Sequence, residues 1–338
     1  MSSIISSDWH FNENPKEKYR WGLLPWLGEQ VKKYKVDNLI CCGDTTDAKD
    51  RHGSVLVNRF VDQLMKIDCR RYILKGNHDF YDPQWPFFGF TDYMPGIEFI
   101  ERPETEYVAI AGKKVQTLWL PATKDWEADW SKALDQDLDR FDYIFCHATF
   151  DGVLAENGMR LSGIPPSIFR ETRAKIWSGD IHTPQRCGPV EYVGAPYRTR
   201  FGDIYNPRCV LIDDRGEAHD LHFPCPSKHV ITIRTMRDLE KATRDFESGD
   251  HVKVKVRLLR SEHPEWPRLR QDITEVMERK ELLLFGPTLE ALEVPKKEAE
   301  KSGGAARIEP RQLIKDYGKN QRVPKEGIEI GVKLIDEL

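Results

Sequence analysis

The chain has 338 residues, of which 39% are hydrophobic and 31% charged, and its net charge is 51 − 55 = −4. That balance suits a globular chain with room for one large domain or two, and it argues against wholesale disorder. No apolar run approaches the roughly 18 residues of a membrane-spanning helix, and the charge gives no general pointer to nucleic acid, although bound metal ions and local patches can invert a local field.

In chain order, Ile4-Ile5 begins a short strand that runs straight into Asp8. A helix is expected over residues 20–35, then a continuous buried-strand pattern over 37–42 ending at Gly43-Asp44. Residues 54–67 read as a helix with Ser54 as its N-cap, and 71–74 as a strand running into Gly76-Asn77-His78-Asp79. Strands and helices alternating at this spacing predict parallel βαβ units. Further strands are expected at 107–111, 115–120, 143–147, 175–178, 191–193 and 209–212. The fold class is therefore α/β, with two sheets flanked by helices.

A boundary is expected near Pro224-Cys225-Pro226-Ser227, closing a first domain at 1–226. Strand patterns at 229–234 and 251–259, with helical patterns at 236–247 and 268–279, predict a small α+β domain over 227–294. A charged, glycine-containing linker at 295–307 leads to a tail at 308–338 with two short amphipathic helices. Its apolar positions (Leu313, Ile314, Tyr317, Ile328, Ile330, Val332, Leu334, Ile335) are too few for a core of their own. Such helices commonly lie in a partner's groove. The seven cysteines include no Cys-x-x-Cys pair, and the odd count predicts free thiols in a reducing cytoplasm. The N-terminus lacks the basic and apolar regions of a secretory signal.

The chemistry resides in five segments, each set just after a predicted strand: Asp8-Trp9-His10, Gly43-Asp44, Gly76-Asn77-His78-Asp79, His147, and Gly179-Asp180-Ile181-His182. Strand C-terminal ends are where open α/β sheets build their sites. Taken singly, each segment is an ordinary turn or a core histidine; in this order, they form a ligand set. Two divalent ions about 3.5–4 Å apart can clamp a phosphoryl group and activate water. A carboxylate must bridge them, and Asp44 is the candidate. Asp8 and His10 can share one ion and Asn77 and His147 the other, with Asp180 and His182 supplying one ligand to each. Mixed oxygen and nitrogen donors suit manganese, iron or zinc better than calcium. His78 is the candidate general acid, oriented by Asp79.

This ordered set, with His147-Ala148-Thr149-Phe150 as its fourth motif, resembles the calcineurin-like metallophosphoesterase superfamily over most of residues 1–213. The resemblance implies a four-layer fold, two sheets between helices, and a two-metal phosphoesterase site. Within the superfamily the chain is most similar to the SbcD-type DNA exonucleases, including those carried by bacteriophages. The pointers are Tyr192-Val193-Gly194-Ala195-Pro196-Tyr197, similar to that family's Gly-Ser-Pro segment, the small capping domain, and Asp79, where protein phosphatases usually have glutamate. The resemblance implies DNA as substrate, an SbcC-like ATPase as partner, a possible homodimer, no membrane, and a cytoplasmic site of action, that of the host for a phage protein. It departs at Asp180, where the family has Gly-His-x-His. A harder oxygen ligand there favours manganese or magnesium over zinc or iron.

Arg198 and Arg200 are candidates for phosphate contacts and His52 for a substrate contact. Trp85, Phe87, Phe88 and Phe90 are expected to pack rather than stack on bases, and Asp47 and Asp151 to be loop residues or to support ligands. The leading expectation is a metal-dependent DNA exonuclease or endonuclease. The alternative is a stand-alone phosphatase or small-molecule phosphodiesterase, which has no evident need for the segments after 227. A non-catalytic scaffold is disfavoured because the motif positions are filled.

Overall fold

Side-chain alternation along the strands stacks this chain in layers. The structure, a computed structural model, describes residues 2–292 and positions 327, 329 and 330. The expected linker at 295–307 and, apart from those three positions, the tail at 308–338 lie outside the described residues. The first half contains β1 (Ser2–Ser6), α1 (Leu23–Tyr34), β2 (Val36–Cys41), α2 (Ser54–Met65), β3 (Arg70–Leu74), β4 (Ile97–Ile100), β5 (Glu104–Ile110), β6 (Lys113–Leu120), α3 (Trp126–Leu134) and β7 (Tyr143–His147). The second contains β8 (Lys175–Gly179), β9 (Gln185–Cys187), β10 (Val190–Tyr192), β11 (Cys209–Ile212), β12 (Ala218–Leu221), β13 (Lys228–Ile233), α4 (Met236–Ala242), β14 (His251–Leu258), α5 (Trp266–Arg279) and β15 (Leu283–Leu284).

One six-stranded sheet runs β12-β11-β1-β2-β3-β4 and the other β5-β6-β7-β8-β10-β9. β1 through β4 pair in parallel, as do β6, β7 and β8. Successive residues of a strand point to opposite faces. Ile5, Ile40, Tyr72 and Leu74 meet Trp119, Phe145 and Trp177 between the sheets. Their neighbours Ile4, Leu39 and Ile73 face outward onto α1 and α2, whose inward side chains include Leu24, Leu27, Phe60 and Leu64. Leu118, Ile144 and Ile176 face the opposite way, onto Trp130 and Ala133 of α3. The result is the expected four-layer α/β sandwich. Among the described residues no helix is long and apolar enough to cross a membrane.

Several boundaries differ from expectation for local reasons. Gly53, not Ser54, caps α2, with an extended backbone and no side-chain cap. A Cβ at Gly53 would lie 2.5 Å from Glu13 Oε1, so no larger residue fits there unless Glu13 moves. α4 ends at Ala242, where the Thr243 hydroxyl donates to Leu239 O. β4, β9 and β12, of four, three and four residues, are too short to carry a period and lie at or beside sheet edges.

The chain divides into two units, Met1–Val256 with Arg268–Thr288, and Arg257–Pro267 with Leu289–Leu338. β13, β14 and β15 pair in parallel as a third sheet, apart from the two six-stranded ones. Lys228 at the start of β13 is buried, and its Nζ donates to Glu17 Oε1 at 2.8 Å and Thr199 O at 2.9 Å. His251 packs edge-on against Tyr19, with ring centroids 5.2 Å apart. In the second unit Arg257 pairs with Glu290 and Leu292 N donates to Leu258 O.

Trp119 is fully buried between the sheets and stacks on both Tyr72 and Phe145, 5.2 and 4.7 Å between centroids. Trp119→Ala should destabilise the fold by roughly 3–5 kcal/mol in urea denaturation. Tyr93→Ala, at a residue 91% exposed, should change it by less than about 0.5 kcal/mol.

Candidate metal centre

Parallel strands in each sheet deliver the five segments to one edge of the sandwich. Asp8 and His10 follow β1, Asp44 follows β2, Asn77 and His78 follow β3, His147 ends β7, and Asp180 and His182 follow β8. The turns are held to each other by their backbones: Asp8 N donates to Gly43 O and His10 N to Asp44 O, both at 3.0 Å. Four of the seven non-glycine residues with positive φ among the described residues are Asp8 (54°), His10 (45°), Asp44 (57°) and Asp180 (84°). Each left-handed residue costs about 1–2 kcal/mol, and such strain concentrates where function over-determines the backbone. Gly43 (φ 100°) and Gly76 allow the close approach: a Cβ would fall 2.4 Å from His147 Nδ1 at the first and 2.2 Å from Asp44 N at the second.

Asp44 lies at the middle of the cluster. Its Oδ1 is 3.4 Å from His147 Nε2 and its Oδ2 is 3.6 Å from His10 Nε2. In this cluster, three groups of donor atoms converge closely enough to hold a cation: Asp8, His10 and His182; Asp8, Asp44 and His147; and His10, Asp44 and His78. His10 Nε2 and His182 Nε2 face each other at 3.0 Å, which suits two lone pairs on one cation or a single shared proton. A carbonyl or carboxylate oxygen stands near each outer ring nitrogen. His147 Nδ1 donates to Cys42 O at 2.6 Å, which aims Nε2 inward. His10 Nδ1 lies 3.1 Å from Asp47 Oδ1, and His182 Nδ1 lies 2.9 Å from Glu156 Oε1. Carbonyl and carboxylate groups behind metal-binding histidines set their tautomer and orientation.

Two atoms test the fit of a cation from the inside. Asp8 Oδ2 and His147 Nε2 are buried and have no hydrogen-bond partner. Buried polar atoms call for a partner, and a cation held among these side chains would supply one to both. Charge gives the same answer. Burial and the neighbouring Asp8 and Asp79 carboxylates push Asp44 up, against the pull of His147 and His10. Burial opposes a charged His147, yet Asp44, Asp180 and Asp8 raise it to about 9. The site thus has an excess negative field, which favours a positive charge among these side chains. The hydrogen bond to His182 holds Glu156 down at about 2, and burial notwithstanding, the bond to His10 holds Asp47 at about 2.

Asn77 and Asp180 stand on the far side of Asp44. Asn77 Nδ2 donates to Asp180 Oδ1 at 2.6 Å, Thr149 Oγ1 donates to Asp180 Oδ2, and Asp180 Oδ1 is 3.8 Å from His147 Nε2. All eight residues, Asp8, His10, Asp44, Asn77, His78, His147, Asp180 and His182, are thereby brought together.

One expected contact is absent. Asp79 does not orient His78: its carboxylate accepts from Asp44 N (2.9 Å), Thr45 N (2.9 Å), Thr45 Oγ1 (2.6 Å) and Gly76 N (2.7 Å), while His78 Nδ1 donates instead to Asp47 O at 2.8 Å. Three backbone N–H groups and the Thr45 hydroxyl, from two adjacent turns, occupy both carboxylate oxygens. Arg200 lines the polar mouth of the site beside His78 and His182, whereas Arg198 Nε donates to Tyr205 O. His52 is not among the converging groups; it lies edge-on to Phe87, 4.3 Å between centroids, and burial lowers its pKa. Phe88 is buried and packs on Phe60, as expected, but Trp85 is 79% exposed. Asp151 is exposed, and its carbonyl accepts from Cys187. Asp47 supports His10, one of the two roles expected for it. Glu156, Thr149 and Arg20, whose Nη1 donates to His10 O at 2.6 Å, were not foreseen. Glu156 lies outside any strand or helix, where no periodicity flags a residue.

Residues 1–184 match the family described as calcineurin-like phosphoesterase. Exonuclease subunit 1 of Enterobacteria phage T4 is 21% identical over 330 residues, covering 81% of this chain and 94% of that protein. Among solved structures, a dimetal phosphatase from Danio rerio aligns at 13% identity with a TM-score of 0.38, covering 66% of this chain and 99% of that one.

Asp79→Ala should act on folding, because it strands four buried donors. A loss of roughly 3 kcal/mol or more is expected in denaturant unfolding, against less than about 0.5 kcal/mol for His78→Ala. A stable but slow Asp79→Ala protein would return Asp79 to the role of orienting the acid.

Proposed function

This chain belongs to the calcineurin-like phosphoesterase family, and we propose that it is a metal-dependent DNA nuclease, the nuclease subunit of an SbcCD-like complex. The observation that carries the nuclease reading is the extent of the likeness to exonuclease subunit 1 of phage T4. It spans 81% of this chain, well beyond the family match at residues 1–184, and 94% of that protein. On this reading residues 227–294 are the capping domain, DNA is the substrate, and an SbcC-like ATPase is the partner in the cytoplasm. The tail at 308–338 docks on that ATPase or on a second copy of this chain.

Asp8, His10 and His182 would hold one divalent ion and Asn77, His147 and Asp180 another, with Asp44 available to both. Bound there, such ions would polarise phosphoryl oxygens and lower the pKa of water toward neutrality. The oxygen donors Asp8, Asp44, Asn77 and Asp180 favour manganese over zinc. His78, half-buried at the mouth, keeps a proton on Nδ1 through its bond to Asp47 O, so Nε2 is the atom that carries a second proton to the leaving oxygen. Arg200, in the same polar mouth, meets the neighbouring phosphate.

The test is hydrolysis of labelled duplex DNA and of p-nitrophenyl phosphate, with manganese, with and without the ATPase. DNA cleavage that the ATPase stimulates supports the reading. Turnover of the monoester alone would replace it with a stand-alone phosphatase. Asp44→Ala should abolish cleavage. His78→Ala should lower kcat by about 10²–10⁴-fold while metal analysis still finds both ions. Asp180→Ala should lose one ion selectively, and Asp180→His should shift the metal preference from manganese toward zinc or iron.

A further inference from the structure

The candidate metal centre lies between two cavities of opposite character. On the side of His10, His78 and His182 is a polar cavity of about 430 Å³ whose wall includes Arg20, already paired with Glu17 and Asp47, and Arg200. Arg200 is placed there to meet a backbone phosphate. On the side of Asn77, His147 and Asp180 is a second cavity, of about 280 Å³, walled by Trp126, Trp130, Ile164 and Ala148. No lysine or arginine lines it. It therefore cannot hold another phosphate, least of all beside the Asp180 carboxylate. A neutral, flat, largely apolar group fits it.

We propose that this second cavity takes the nucleobase next to the scissile phosphodiester, with Trp126 as its aromatic wall. The inference rests on the nuclease reading and adds the orientation of the strand: base toward Trp126, flanking phosphate toward Arg200. Its volume lies just below the roughly 300 Å³ at which ligand pockets usually begin, which suits one base and not two. The wall is preorganised. Trp126 opens α3, whose N-cap Asp125 accepts from Ala128 N, and it packs partly against the core beneath the second sheet. Trp130 behind it is buried with its Nε1 donating to Pro121 O. The two threonine hydroxyls in the lining are already committed, Thr149 to Asp180 and Thr123 to Asp129. Stacking, not base-edge hydrogen bonding, is then the source of affinity, so the pocket accepts all bases with little preference.

The experiment compares kcat/KM for two phosphodiesters with the same leaving group, the p-nitrophenyl ester of thymidine 5′-monophosphate and methyl p-nitrophenyl phosphate. In Trp126→Ala the ratio of the first to the second should fall about tenfold, within the range of base–aromatic stacking, and Trp126→Phe should recover most of it. A ratio that does not move in Trp126→Ala overturns the proposal, even with both rates reduced. A binding arm needs no turnover. With manganese present, thymidine 5′-monophosphate should bind the wild-type protein about tenfold tighter than inorganic phosphate, and Trp126→Ala should erase the difference. Equal affinities in the wild type overturn the base pocket. Failure to cleave DNA while the monophosphate still binds tighter overturns the nuclease reading alone.

Discussion

A buried carboxylate holds the active edge of this protein together. Asp79 accepts hydrogen bonds from Gly76, Asp44 and Thr45, so the turn after β3 and the turn after β2 are fixed to one anion. Gly76 has no side chain because Asp44 occupies the place a Cβ would need. The left-handed backbone of Asp44 persists under that constraint, and its two oxygens are presented to histidines from two different strands. Each local oddity here is the condition for the next.

The same edge is electrostatically unbalanced by construction. Asp8, Asp44 and Asp79 are buried close together, with the half-buried Asp180 beside them. Carboxylates so placed repel, and their own histidines are the nearest relief, which is why His147 holds a proton up to about 9. A cation does the same work with more charge. The hard oxygen donors, and the imidazole nitrogens backed by Cys42 O, Asp47 and Glu156, are a donor set that suits a divalent ion.

Much of this was legible in the residues because strand ends and apolar periods are local signals. The runs at 37–42, 143–147 and 209–212 announced their strands, and an acid or histidine at the ends of β1, β2, β3, β7 and β8 announced the site. The βαβ order then fixed which ends converge. Long-range choices were not legible. Nothing in Asn77-His78-Asp79 tells that Asp79 turns inward to backbone donors while His78 turns to Asp47. Arg198 and Arg200 are two residues apart and read alike, yet one bonds Tyr205 and the other faces the site. Glu156 and Trp126 acquire their places only when separate strands bring distant loops together. Short strands such as Gln185–Cys187 carry too few residues for a period to form.

The anchoring of Lys228 bears on modularity. Its ammonium is buried against Glu17, and Glu17 in turn pairs with Arg20, which supports the carbonyl of His10. Burial opposes the charge on Glu17, and the two cations hold its pKa down nonetheless. β13 is thus wired to His10 through three charges in series. Such a segment does not behave as a detachable unit. In recombination between relatives, residues 15–20 and the strand at 228 must travel together, or one buried charge is left without its mate. Exchange at this junction is therefore constrained by an ion pair spanning 211 positions of sequence.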